Sequence, residues 1–129
     1  MLLNISQHSA ETLQEQIISQ IRRRILCGEL GPDEGLLSIR SLSKNLKVGV
    51  NTVQRAYEHL LREELVYARP GKGFFVAPLE PDDIAAITRT RFAESLKSLV
   101  AQARREGLSD QEMNQIFTQL RGEFGEDNA

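Results

Sequence analysis

The apolar positions of this chain recur at helical spacing in some stretches and alternate or cluster in others, and each change marks an element. Between about residues 10 and 27, Leu13, Ile17, Ile18, Ile21, Ile25 and Leu26 predict an amphipathic helix with one buried stripe. Gly28 is placed to end it in the left-handed conformation. Leu42 and Leu46 then lie one turn apart behind Ser38, a residue suited to cap a short helix. Gly49 predicts a tight turn, where positive φ would disfavour a side chain. A further helix opens at Val50 or Asn51 and buries Val53, Ala56, Tyr57, Leu60 and Leu61. Strand-like Leu65-Val66-Tyr67-Ala68 follows, then the turn Arg69-Pro70-Gly71-Lys72-Gly73, then Phe74-Phe75-Val76, which together read as a hairpin.

Beyond Val76 the pattern changes. Pro78 and Pro81 bracket a short acidic linker, and Pro81 suits the first turn of a helix running to about Glu106. In it Phe92, Leu96, Leu99 and Ala103 recur at spacings of four, three and four, as in a helix–helix seam. Gly107 stops this helix, and Ser109-Asp110-Gln111-Glu112 predicts a capping box. The last helix runs to about Gly122, burying Met113, Ile116, Phe117 and Leu120 with Phe124 at its end, and residues 126–129 are expected to fray. Two such helices cannot enclose a core alone. They must pack on the winged helix, on each other or on a second chain, and a seam of this kind favours a two-fold dimer with Phe92, Leu96, Leu99, Ile116, Phe117 and Leu120 in or just behind the interface.

The two helices around Gly49 have the layout of a helix-turn-helix, in which the second helix lies in the DNA major groove. The spacing alone also fits a helical hairpin whose polar face is merely solvated. The basic hairpin behind it favours DNA, because helix-turn-helix plus hairpin makes a winged helix. Asn51 and Gln54 are amides able to pair adenine, Arg55 can reach base or phosphate, and Val50 stands beside them at the helix start. Lys44, Thr52 and the wing residues Arg69, Gly71, Lys72 and Gly73 are expected on phosphates or the minor-groove edge.

Residues from about 13 to 76 resemble the N-terminal domain of GntR-type bacterial transcription regulators. The resemblance rests on Glu15-Gln16-Ile17 with Ile21 and Ile25, Gly28-Glu29-Leu30, Leu36-Leu37-Ser38-Ile39-Arg40-Ser41-Leu42, Val48-Gly49-Val50-Asn51-Thr52-Val53-Gln54-Arg55-Ala56-Tyr57 and Gly71-Lys72-Gly73-Phe74-Phe75-Val76. It implies that Arg40 fixes the shorter helix on the DNA backbone. The chain departs from the family pattern at Leu37, where Pro is usual, and in the order of Gly and acidic residues across 31–36. Gly49-Val50 replaces a common Ser-Arg or Thr-Arg, which removes an Arg that often reads guanine. The short C-terminal segment is similar to that of the YtrA branch, whose paired helices dimerise and whose members often repress neighbouring transporter genes. The expected architecture is therefore mainly α with a small β-hairpin. Residues 1–78 form a winged helix-turn-helix and residues 79–129 a two-helix dimerisation segment.

Charge refines this picture. The net charge is −2, but residues 1–78 carry ten Lys and Arg against eight Asp and Glu. Residues 79–129 carry six against ten, so the positive half is the winged half. Arg22, Arg23 and Arg24 sit at a helix C-terminus, which favours cations without any DNA. The single Cys27 is expected to pack at the helix end and suits a reducing cytoplasm. No apolar run approaches a membrane span, and Met1-Leu2-Leu3-Asn4 lacks the form of a signal peptide.

Catalysis finds no support. His8 and His59 have no metal-spaced companions, and His59 is expected beside the exposed recognition face, solvated or near phosphate. Gly71-Lys72-Gly73 lacks the spacing and the following Ser or Thr of a nucleotide-binding loop. No cofactor is indicated, and no convergent polar cluster points to an effector. The residues thus predict a cytoplasmic, sequence-specific DNA-binding regulator acting as a dimer on an inverted-repeat operator, and the resemblance implies that it is a repressor. The alternative, a winged helix serving only as a protein adaptor, would need an apolar recognition helix in place of Asn51, Gln54, Arg55 and Arg62.

Overall fold

The computed structural model describes residues 2–127. They fall into two compact units, the first ending at Ile84 and the second beginning at Ala85. The element order is α1 (Leu13–Leu26), α2 (Ile39–Leu46), α3 (Val50–Arg62), β1 (Val66–Arg69), β2 (Gly73–Val76), α4 (Pro81–Arg105) and α5 (Asp110–Asp127).

In the first unit α1 starts at Leu13, the first residue of its apolar stripe and later than the expected start near residue 10, because Thr12 caps it. The Thr12 hydroxyl accepts from the Glu15 N–H, and the Glu15 carboxylate accepts from the Thr12 N–H, both at 3.0 Å. Gly28 takes the expected left-handed φ of 86°. Cys27 does not pack: it is the C-cap and is exposed, because the buried stripe ends at Ile25. The core joins Ile17 and Ile21 of α1 to Leu42, Val53, Ala56, Tyr57, Leu60, Leu65 and Val76. Leu61 is 39% exposed, since α3 buries the positions three and four apart from Val53 to Leu60 and Leu61 is rotated off that face.

A second feature of α1 has no periodic signature. Gln16 is buried, accepts from the Ser6 N–H at 2.7 Å and donates to the Ser6 carbonyl at 2.8 Å. Gln20, one turn on, makes the same two-way pairing with Asn4. A glutamine amide has the donor and acceptor of a peptide group, so two of them on one helix face can pair with alternate residues of an extended segment. The N-terminal segment is thereby strapped to α1, with Leu3 buried.

The turn between α2 and α3 is not made where expected. Lys47 takes the left-handed conformation, φ 56°, and the Val48 N–H returns to the Ser43 carbonyl at 3.1 Å. Gly49 is extended, φ −66°, as the N-cap of α3, because the chain has already reversed at Lys47. The hairpin pairs Val66 with Val76, Tyr67 with Phe75, Ala68 with Phe74 and Arg69 with Gly73. A bridge from Gly35 to Phe75 adds the loop before α2 to the free edge of β2.

In the second unit the Ser109 hydroxyl caps α5 by accepting from the Glu112 N–H at 3.1 Å. Gly107, φ 94°, ends α4. Helix α5 continues past the expected Gly122 to Asp127, so Glu126 and Asp127 extend it, while Asn128 and Ala129 lie outside the described residues. No described side chain of this unit is buried. Phe92 is 56% exposed and Leu99 63%. Leu96, Val100, Ala103, Met113, Ile116 and Phe117 line much of an open apolar groove of about 440 Å³ between the two helices.

Candidate nucleic-acid interface

The helix-turn-helix is held from behind by Tyr57. Its ring is fully buried, edge-on to Phe74 at 5.1 Å, and its hydroxyl donates to the Leu37 carbonyl at 2.6 Å. Burial pushes that hydroxyl well above the ordinary tyrosine range. The bond anchors the chain just before Ser38, whose hydroxyl caps α2 by accepting from the Ser41 N–H at 3.1 Å. The orientation of α2 against α3 is thus set by a core side chain and a cap together.

The outward face carries the predicted residues. On α2, Arg40 and Lys44 are one turn apart and exposed. On α3, Asn51, Gln54 and Arg55 share an exposed face, with Val50 46% exposed at the first turn and Thr52 half-buried. The Gln54 amide donates to the Glu58 carboxylate at 3.2 Å, which orients its remaining polar atoms. His59 is turned away from this use. It is half-buried, its Nε2 lies 2.9 Å from Glu63, and Arg22 of α1 pairs with the same carboxylate. The expectation of a solvated or phosphate-facing His59 is therefore replaced by a tie between the C-terminal parts of α1 and α3.

The wing tip is a tight turn in which the Lys72 N–H returns to the Arg69 carbonyl at 2.9 Å. Pro70 supplies the fixed φ at the second position and Gly71, φ 76°, the positive φ at the third, the form of a type II turn. Lys72 is exposed and Gly73, φ 105°, half-buried. Arg69 does not simply project into solvent. Its guanidinium lies 5.0 Å from the Phe75 ring centroid and 5.8 Å from that of Tyr67. These rings are stacked 5.7 Å apart, and the Tyr67 hydroxyl donates to Asp33 at 2.7 Å, which raises its pKa. The Tyr57, Gln16, Gln20 and Asp33 contacts escaped the sequence reading; only the Thr12–Glu15 cap had a visible local signal.

Two helices with a polar outward face, followed by a basic hairpin whose strands join the same core, define a winged helix-turn-helix. Residues 13–76 match the profile of bacterial regulatory proteins, gntR family. Over 106 residues the chain is 34% identical to an uncharacterized HTH-type transcriptional regulator, YhcF of Bacillus subtilis, covering 81% of this chain and 86% of that one. The chain belongs to the GntR family. This GntR-family protein is a DNA-binding transcription regulator, and the likeness extends past the winged helix. It is 26% identical over 119 residues to the HTH-type transcriptional repressor YtrA of Bacillus subtilis, covering 92% of both chains. The solved structure of YtrA from Sulfolobus acidocaldarius, a GntR-family transcription factor, superposes with a TM-score of 0.57 at 28% identity, covering 73% of this chain and 99% of that one. Among the described residues no cluster of His, Cys, Asp and Glu is arranged to hold a metal, and no helix is long and apolar enough to cross a membrane.

Proposed function

We propose that this regulator acts in the cytoplasm as a homodimeric repressor, docking one winged helix in each half of an inverted-repeat operator. The division of labour falls near residue 78, with DNA contact before it and association after it. The observation that carries the dimer is the apolar surface of the second unit. Phe92, Leu99, Ile116, Phe117 and Leu120 are each more than a third exposed, and Leu96 lines the groove beside them. Such a surface on a soluble chain calls for a partner. A two-fold axis lets the same patch serve both sides. The second winged helix then meets DNA at an effective concentration of roughly millimolar.

In this reading Asn51, Gln54 and Arg55 face base edges, with Val50 beside them. Arg40, Lys44, Thr52, Arg69, Gly71, Lys72 and Gly73 contact phosphates or the minor-groove edge. The exposed polar side chains of α3 support DNA over a protein partner at that helix. Sedimentation of the full chain at micromolar concentration, with Leu99→Glu beside it, tests the assembly. A dimer dissociated by Leu99→Glu is expected; a monomeric parent sinks the proposal. Footprinting should show two protected half-sites about one helical turn apart, or a multiple of that.

A further inference from the structure

The wing carries one arrangement that neither its turn nor its strand pairing requires. Tyr67 and Phe75 are register partners on adjacent strands, so their rings meet on one face of the hairpin. Arg69 is two residues on from Tyr67 and therefore on the same face. The residue opposite Arg69 is Gly73, which offers no side chain. The guanidinium is thus able to cross that gap to its diagonal neighbour, Phe75. On the other edge Phe75 is bridged to Gly35, where a Cβ would stand 3.4 Å from the Phe75 ring. Glycines therefore leave room on both sides of the Phe75 row. Asp33, held against the Tyr67 hydroxyl, closes the far end.

We propose that this aromatic pair is a platform that holds Arg69 in its DNA-contacting position, making Tyr67 and Phe75 positioning residues for the wing. A guanidinium held over rings, with one N–H engaged by the Tyr67 hydroxyl, keeps further N–H donors for phosphate or groove acceptors. Arginine is otherwise a long side chain with much rotamer freedom to lose on binding, and a platform removes part of that loss beforehand. The proposal rests on the reading that the wing contacts DNA.

The test is a double-mutant cycle on the full chain, measuring anisotropy of a labelled mixed-sequence duplex across a salt series. Arg69→Ala is expected to weaken binding and to flatten the salt slope by about one unit. Phe75→Leu keeps an apolar side chain and removes the ring. It should weaken binding roughly two- to tenfold in the parent and leave it unchanged in the Arg69→Ala background. Tyr67→Leu serves as the second variant, with thermal unfolding to confirm that each is folded. An equal loss in both backgrounds would make the rings merely structural and overturn the platform. If Arg69→Ala changes neither affinity nor slope, wing contact through Arg69 fails, and the platform falls with it for that separate reason.

Discussion

Replacing Tyr57 by Phe deletes one oxygen and tests how the helix-turn-helix is anchored. The ring is fully buried and keeps its edge-on contact with Phe74, so packing should survive. What disappears is the 2.6 Å bond to the Leu37 carbonyl. Leaving a buried acceptor without a donor costs about 1–3 kcal/mol. Leu37 is half-buried, so water can reach its carbonyl in part, and the lower end applies: about 1–1.5 kcal/mol. For a domain of this size that corresponds to a fall in Tm of about 5–10 °C. Urea unfolding followed by circular dichroism reads the free energy directly. The pH dependence gives an independent check. Burial raises the folded-state hydroxyl above its unfolded value of about 10, so the neutral phenol favours the native state. Its contribution is complete below pH about 10 and is lost as pH rises past that value. The gap between parent and Tyr57→Phe should therefore be constant near neutrality and narrow in alkali. A gap below about 0.3 kcal/mol at pH 7 would refute the anchoring role, since that is far less than a single net hydrogen bond.

Three further outcomes follow. Gly49→Ser should be neutral or stabilising by a few tenths of a kcal/mol, because Gly49 is an extended N-cap where a Cβ would meet only the Thr52 hydroxyl oxygen, at an ordinary 4.0 Å; a loss above about 1 kcal/mol in urea melts would contradict that. Gln16→Leu should cost about 1 kcal/mol or more and speed hydrogen exchange at the Ser6 amide, and unchanged exchange there would show that the strap is not held by Gln16. Lys72→Ala and Arg40→Ala should each flatten the salt dependence of DNA binding by about 0.9 units, whereas Asn51→Ala should shift sequence preference and leave the slope alone; the reverse pattern would exchange their roles.

The helices were legible wherever one buried face ran through them. Ile17, Ile21, Leu42, Val53 and Leu60 are apolar at helical spacing and all reach the core. The wing was legible because Pro70 and Gly71 suit only certain turn positions. The α2–α3 turn was misplaced because a left-handed lysine such as Lys47 has no compositional mark, while Gly49 beside it does. The outward-facing polar residues of α2 and α3 could be named from helix phase alone. What supports them could not: Tyr57 to Leu37 and Tyr67 to Asp33 join positions 20 and 34 residues apart. The Arg69 platform depends on a strand register that a shift of one residue would abolish.

The loop before α2 is paired as well as connected. The Asp33 N–H reaches the Val76 carbonyl, the Val76 N–H the Glu34 carbonyl, and the Leu36 N–H the Phe74 carbonyl, at 2.8, 2.8 and 2.9 Å. A segment held in this way has a fixed length. One inserted residue would flip which side chains face the sheet and would push Tyr67 off Asp33. The helix-turn-helix and the wing therefore travel together as one stiff tool, with the spacing between their outward faces set by this short splice.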